Sequence, residues 1–331
     1  MQSLKSTLYF TLSLFFFLNV SKAQTNSTKT IIVDQSGKGN FISVQQAIDS
    51  IPSFNQEWTI IRLNPGVYNE KVIISQDKPY IILEGESLSR TVIQWGDFGS
   101  TLESATFKLY ADNFMARGIT FKNTFDHVIP RDILGNITWA PAAYLQADKA
   151  SFYSCAFIGI QDTLTDWVGR HLYEHCYFEG AIDFIWGGGQ SIFQNSIINV
   201  TASVLGGGNA YITAQARSSD KETNGFVFKY CSITGTGPAF LGRAYGEYSR
   251  VVFYKSVFSG IINPRGWYEW NHQGKEKLIT YAEIECTGPG ADMSKRVKWE
   301  KNLSEEEVRR LVSVERFINQ GMWLQEQLIH L

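Results

Sequence analysis

Phe152-Tyr-Ser-Cys155-Ala-Phe-Ile-Gly-Ile-Gln161-Asp162 is followed by Leu172-Tyr-Glu-His-Cys176-Tyr-Phe-Glu-Gly-Ala-Ile182-Asp183, and the two segments read as successive copies of one repeat. Each has an apolar run, a cysteine, a second apolar run and an aspartate seven residues beyond the cysteine. Apolar β-formers ending at a turn former are strand signals, and equivalent positions in stacked repeats become spatial neighbours. If each copy is one coil of a parallel β-solenoid, neighbouring coils lie about 4.8 Å apart, which holds Asp162 and Asp183 within a few ångströms of each other. Two carboxylates that close do not both ionise easily. One tends to keep its proton while the other stays charged, which supplies an acid and a nucleophile or base in one place.

Related segments recur on both sides: Phe114-Met-Ala-Arg-Gly-Ile-Thr-Phe-Lys-Asn, Ile192-Phe-Gln-Asn-Ser-Ile-Ile-Asn, Phe226-Val-Phe-Lys-Tyr-Cys-Ser-Ile-Thr-Gly and Val251-Val-Phe-Tyr-Lys-Ser-Val-Phe-Ser-Gly. Their offsets of roughly 20 to 37 residues suit solenoid coils with loops of different length between strands. Earlier strands are expected at 59–63, 71–74, 81–83 and 91–94. The fold expected is all-β, a single-stranded right-handed parallel β-helix forming one elongated domain, with short helices only at its ends. The amphipathic segment from Phe41 to Ile48 suits a cap over an open solenoid end. Near the other terminus, Ser304-Glu-Glu-Glu307 is a capping-box signature, and Val308, Leu311, Val312, Val314 and Phe317 give the helix after it an apolar face.

The chain has 331 residues, 44% hydrophobic and only 19% charged, with a formal charge of −2. It is long enough to bury a large core, and it carries no broad basic field, so neither nucleic acid nor membrane is an expected partner. Lys5, the apolar run from Leu8 to Val20 and then Ser21-Lys22-Ala23 read as a secretory signal peptide over 1–23, leaving 24–331 as one mature domain. The run falls short of the roughly 20 apolar residues of a spanning helix. Sequons at Asn26, Asn136, Asn199 and Asn302 fit a secreted glycoprotein. Four cysteines, Cys155, Cys176, Cys231 and Cys286, are too few for a disulfide-built scaffold. Cys155 and Cys176 fall at matching repeat positions, where a disulfide between coils and a buried unpaired stack are both open, the second being favoured.

Several other chemistries find no support. The glycine clusters at 187–189 and 206–208 lack the Lys-Ser/Thr ending of a phosphate loop and read as turns. His127, His171, His175, His272 and His330 form no metal-ligand pattern, and there is no Gly-x-Ser-x-Gly elbow.

A longer set of motifs resembles the plant pectinesterases (pectin methylesterases) over nearly all of the mature chain. It comprises Gly66-Val-Tyr68-Asn-Glu70, Gly118-Ile-Thr-Phe-Lys-Asn-Thr124, Gly159-Ile-Gln161-Asp162-Thr163-Leu164, Gly180-Ala-Ile-Asp183-Phe-Ile-Trp186-Gly187, Ile212-Thr-Ala-Gln215-Ala-Arg217 and Leu241-Gly242-Arg243. The resemblance implies hydrolysis of galacturonate methyl esters in pectin at the cell wall, without metal or organic cofactor, by a secreted monomer. It makes Asp183 the nucleophile, Asp162 the proton donor and later the base, Gln161 an oxyanion donor, and Arg243 the group that orients and keeps Asp183 charged. Thr106 matches a substrate-contact position, and Trp186, Trp167 and Tyr245 are candidate sugar platforms; Tyr68 and Glu70 read as support for coil packing. The partner implied is methyl-esterified pectin, with a proteinaceous pectinesterase inhibitor as a further candidate. The start so soon after the signal segment implies no long inhibitor-like region before the catalytic domain.

Two departures matter. Where the family has Gln-Ala-Val-Ala-Leu, this chain has Trp139-Ala-Pro-Ala-Ala143, so the second oxyanion glutamine is replaced by Trp139. Loss of one oxyanion donor typically costs about 10²–10³ in rate, although an indole N–H can itself donate. The other is Arg243-Ala244-Tyr245 in place of Arg-Pro-Trp, which keeps an aromatic face and adds a hydroxyl. Trp139 is the feature that favours a pectin-binding wall protein of little turnover as the alternative. A glycosidic-bond hydrolase or a calcium-dependent lyase on the same fold is the other alternative, but the sequence shows neither a Gly-His-Gly motif nor a clear acidic cluster.

Overall fold

The computed structural model describes residues 28–125 and 138–328. The expected signal segment, Asn26, Asn136, His127 and His330 lie outside the described residues. Among the described residues, strands assemble into three parallel sheets of ten, eight and eight, each strand pairing with its counterpart in the next coil. This is the right-handed parallel β-helix that the repeats predict.

The repeat is built around a corner. Ala150–Tyr153 and Arg170–Glu174 pair in the first sheet, with Phe152 opposite Tyr173. Ala156–Ile158 and Tyr177–Gly180 pair in the second, with Phe157 opposite Phe178. Between the sheets stands one left-handed residue per coil: Ser154 at φ 48°, His175 at 54°, Asn195 at 52°, Tyr230 at 55° and Lys255 at 48°. A left-handed L-residue costs about 1–2 kcal/mol, so these corners persist because the stacked strands over-determine them. The small residue after each corner faces inward, and Cys155, Cys176 and Cys231 are buried there as free thiols. The Cys176 Sγ lies 3.4 Å from the Phe152 carbonyl oxygen and the Cys231 Sγ 3.4 Å from that of Phe193, so the column is held by weak donor contacts to the coil before.

The interior carries the same register into the side chains. Phe152, Tyr173, Phe193, Phe228 and Phe253 stack in sequence with centroid separations of 5.1, 4.6, 4.4 and 4.5 Å. Each such aromatic pair adds about 0.5–1.5 kcal/mol beyond its burial.

The ends are treated differently. Helix α1, Val44–Asp49, buries Val44, Ala47 and Ile48 in the main core, so it closes the N-terminal end as expected. Glu70 holds it there, accepting from the Ser43 hydroxyl at 2.7 Å and from the backbone N–H groups of Val44 and Gln45 at 2.8 and 3.0 Å. Tyr68 is buried, its hydroxyl donating to the Asn64 carbonyl at 2.7 Å. Both residues serve packing, as the sequence suggested. At the C-terminus the capping box forms, but the apolar face expected from Val308 to Phe317 is not one helix. Helix α2 spans Glu305–Val312, and Ser313 then caps a new short helix, α3, over Val314–Phe317. Leu311, Phe317, Ile318, Trp323 and Leu324 pack on Leu172, Ile192, Val227, Val252 and Ala282, the outward residues of the first sheet. These segments therefore cover the solenoid's side, while Trp267, Tyr281 and Trp299 stack beside the last coils, at 4.5 and 6.0 Å. The strands expected at 59–63, 71–74, 81–83 and 91–94 all form, within a residue or two at their ends; Lys29–Val33, Gly66–Asn69 and the third-sheet strands from Phe107–Leu109 to Trp267–Tyr268 were not anticipated as strands.

Phe193 sits mid-ladder and fully buried. Phe193→Ala is expected to lower stability by about 3–5 kcal/mol and Phe193→Leu, which loses the two stacked pairs but keeps most of the apolar volume, by about 1–3 kcal/mol, read as shifts in the urea midpoint at constant slope.

Candidate active site

The aspartates of the two repeats meet at the entry to the third sheet. Gln161 pairs with Ile182 as an isolated parallel bridge, and the Asp162 N–H donates to the Ile182 carbonyl at 3.0 Å, which sets Asp162 beside Asp183 in the next coil. Both are left-handed, at φ 57° and 48°. Aspartate tolerates that region better than most residues, and the turn aims the carboxyl out of the coil. The glycine of each motif has a steric reason. A Cβ on Gly180 would lie 2.3 Å from the Cβ of Phe184 and 2.8 Å from the Thr163 Oγ1, so the chain before Asp183 passes too close for any side chain.

Arg243 reaches in from the end of the strand Ala239–Arg243, which is separated from the Asp183 strand, Ile182–Gly187, by the strand Ala210–Gln215. Its Nε donates to the Asp183 Oδ1 at 2.7 Å and its Nη2 to the Asp183 Oδ2. The guanidinium lies between two aromatic rings, 4.5 Å from the centroid of Tyr211 and 4.3 Å from that of Trp270. A bidentate, doubly stacked arginine is rigid and always charged.

Both residues are buried, exposed at only 4% for Asp162 and 5% for Asp183. Burial pushes the Asp162 carboxyl up to about 7, opposed by the Thr101 hydrogen bond, reinforced by the Asp183 charge and opposed again by Arg243. Burial also raises Asp183, with the two hydrogen bonds and the charge of Arg243 pulling against it. The cation is bound to Asp183 alone. The shared proton therefore belongs on Asp162, and the pair is set up as a neutral acid beside an anion.

A cleft of about 560 Å³ opens over this pair, lined by Trp139, Gln161, Trp186, Tyr245, Trp270 and the loop Gly99–Thr101 as well as the two aspartates and Arg243. Trp186 packs edge-on to Tyr245 at 5.3 Å, and Tyr245 meets Trp270 at 5.7 Å, forming one aromatic wall.

The pectinesterase family model matches residues 30–321. The chain belongs to the pectinesterase family. It is 46% identical over 298 residues to probable pectinesterase 55 of Arabidopsis thaliana, covering 89% of this chain and 90% of that protein. It is 44% identical to probable pectinesterase 29 of the same plant, covering 89% of each. Among solved structures it resembles the pectin methylesterase from carrot, with TM-score 0.83 and 28% identity over 92% of this chain and 97% of that one. The Aspergillus niger pectin methylesterase gives TM-score 0.76 and 26% identity over 90% and 96%.

Of the residues this family resemblance marked, Asp162, Asp183, Gln161, Arg243, Trp139, Trp186 and Tyr245 all line the one cleft. Trp167 lies outside its lining but stacks on Trp186 at 5.2 Å, extending the aromatic wall. Thr106 is not brought to the cleft surface. It is fully buried and its hydroxyl donates to the Lys122 carbonyl at 3.0 Å, so in this chain it holds a strand and does not meet solvent. Asn302 is exposed, whereas the Asn199 side-chain amide donates to the Glu179 carboxylate at 3.0 Å from within a strand. Sequence reasoning missed Thr101, Tyr211 and Trp270. None stands in a catalytic motif; a Trp after the strand Trp267–Tyr268 gave the only local hint.

The raised Asp162 carboxyl has a stability consequence. Its folded value of about 7 stands above the ordinary 3.8, so the stability it contributes is complete below about pH 4 and is lost as pH rises through 7. Asp162→Asn, which keeps the left-handed preference and removes the titration, is expected to melt close to wild type at pH 4 and above it at pH 8. Equal melting shifts at both pH values in a thermal scan would contradict a proton-bearing Asp162.

Proposed function

We propose that this chain hydrolyses the methyl esters of galacturonate units in pectin, releasing methanol, as a secreted, monomeric cell-wall enzyme. Family membership supports the reaction class, and the arrangement of Asp162, Asp183 and Arg243 carries the mechanism.

Asp183, charged and fixed by Arg243, attacks the ester carbonyl carbon. The carbonyl oxygen becomes an oxyanion, for which the Gln161 side-chain amide in the cleft is the donor. The neutral Asp162 carboxyl then passes its proton to the methoxy oxygen as the C–O bond breaks, and methanol leaves. What remains is an acyl-enzyme at Asp183 and a carboxylate at Asp162. That carboxylate takes a proton from water, the hydroxide attacks the acyl carbon, and Asp183 is released with Asp162 reprotonated. The ester and one water become one carboxylic acid and one methanol. The aromatic wall of Trp186, Tyr245 and Trp167 offers apolar faces for sugar rings.

Trp139 supports a second reading. Its side chain is half exposed in the cleft, where the family places a second oxyanion glutamine. A bulky indole there favours slow turnover with retained pectin binding. The deciding experiment is methanol release from highly methylated pectin by the purified mature chain between about pH 5 and 9. Asp183→Ala is expected to lower kcat by at least about 10³, and Trp139→Gln to raise it by about tenfold or more. A folded wild type that stays on a pectin column and releases no methanol would establish the binding protein instead.

A further inference from the structure

Asp162 has a partner that lies in none of the motifs. The Thr101 Oγ1 donates to the Asp162 Oδ2 at 2.8 Å, across 61 residues of sequence. Thr101 belongs to a closed turn before the strand Phe107–Leu109. There the Ser104 N–H donates to the Ser100 carbonyl at 3.0 Å, the Ser100 N–H to the Ser104 Oγ at 3.1 Å, and the Glu103 N–H to the Ser100 Oγ at 3.0 Å. The turn is tied to the neighbouring cleft segment as well, because the Gly99 N–H donates to the Trp139 carbonyl at 2.9 Å. The hydroxyl is thus presented by a braced loop, and among the described residues Asp162 is its only acceptor and it is the only donor to the Asp162 carboxyl.

We propose that Thr101 is a positioning residue that fixes which oxygen of Asp162 carries the transferable proton. The inference rests on Asp162 being the acid. A hydroxyl that donates to Oδ2 occupies that oxygen as an acceptor, so the proton of the neutral carboxyl resides on Oδ1. To place the proton on Oδ2 instead, Thr101 would have to turn and accept, and its own O–H would then lose its protein partner. A carboxyl with its proton held at one atom gives it up without a prior rotation. The same bond favours the carboxylate that must exist when water is activated, so it restrains a carboxyl that burial drives upward. The charged groups facing Asp162 are Asp183 and Arg243, which act in opposite directions. The nearest acid on the turn, Glu103, is engaged by Lys108 at 3.3 Å.

The test is the pH dependence of kcat/KM for methanol release by wild type, Thr101→Val, Thr101→Ser and Asp162→Asn, each checked for a native melting transition. With the hydroxyl gone, the basic limb is expected to move up by about one pH unit and kcat to fall about tenfold with KM little changed. Thr101→Ser is expected to restore both. If Thr101→Val does not fold, Thr101→Ala carries the same comparison. An unmoved basic limb in the hydroxyl-free variant, with Asp162→Asn inactive, overturns the Thr101 assignment alone. Wild-type turnover by Asp162→Asn overturns it together with the acid role beneath it.

Discussion

The in-register stacking of parallel coils is the constraint from which the rest of the molecule follows. Backbone hydrogen bonds hold each strand about 4.8 Å from its counterpart, so like residues are placed on like residues whatever their chemistry. Inside, this puts Phe157 on Phe178 and Tyr173 on Phe193, which is favourable. At the corner after the second sheet, the same rule puts a carboxyl beside a carboxyl, which is not. Neither aspartate has to reach for the other. The core enforces their approach, and the unfavourable pairing is spread over an aromatic ladder far larger than the site.

Given that enforced proximity, the environment decides which carboxyl keeps the proton. Asp183 receives two N–H groups and a full positive charge, whereas Asp162 receives one neutral hydroxyl. The span that the cation must cross explains the choice of arginine. Its strand is two away, about 9–10 Å in sheet spacing, and the intervening strand contributes Tyr211 as a ring beneath the guanidinium. Trp270 closes over the other side from the following coil. A lysine would cross the same distance, but it would give one point charge where two oxygens need two aligned donors.

How much of this was legible in the sequence depends on whether a residue's place is set by the repeat or by a loop. Asp162 and Asp183 were readable because both follow a cysteine at one offset, and the repeat converts offset into proximity. Arg243 was readable only through the motif around it. Thr101 and Trp270 were not, because each stands on a connection whose path depends on loop length and on what it packs against. Thr106 shows the opposite error: its segment matches the family, yet its hydroxyl is buried on the Lys122 carbonyl just before the strand Phe107–Leu109. At the C-terminus the apolar residues were recognised, but not Ser313 as a second cap nor the outer face of the first sheet as the surface they cover. An amphipathic pattern states that a helix has a buried side and leaves open against what.

The contrast between Asp162 and Asp166, four residues apart, shows how donor supply separates chemistry from architecture. Asp166 is wholly buried and accepts from the Tyr173 hydroxyl at 2.9 Å, the Ser191 hydroxyl at 2.7 Å and the His171 Nδ1 at 2.8 Å. The other nitrogen of His171 meets the Ala147 carbonyl at 2.7 Å, so both ring nitrogens face acceptors and the ring is suited to hold two protons. Burial pushes His171 down, but the charge and hydrogen bond of Asp166 outweigh it and the net displacement is upward. Every oxygen of Asp166 is committed, and the result is a fixed anchor in the middle of the strand Leu164–Val168, from which Trp167 projects. Asp162 sits at the head of that strand with a single neutral donor and a like charge for a neighbour. Burial is common to both; the number and charge of the donors supplied makes one a structural tie and leaves the other a proton to give.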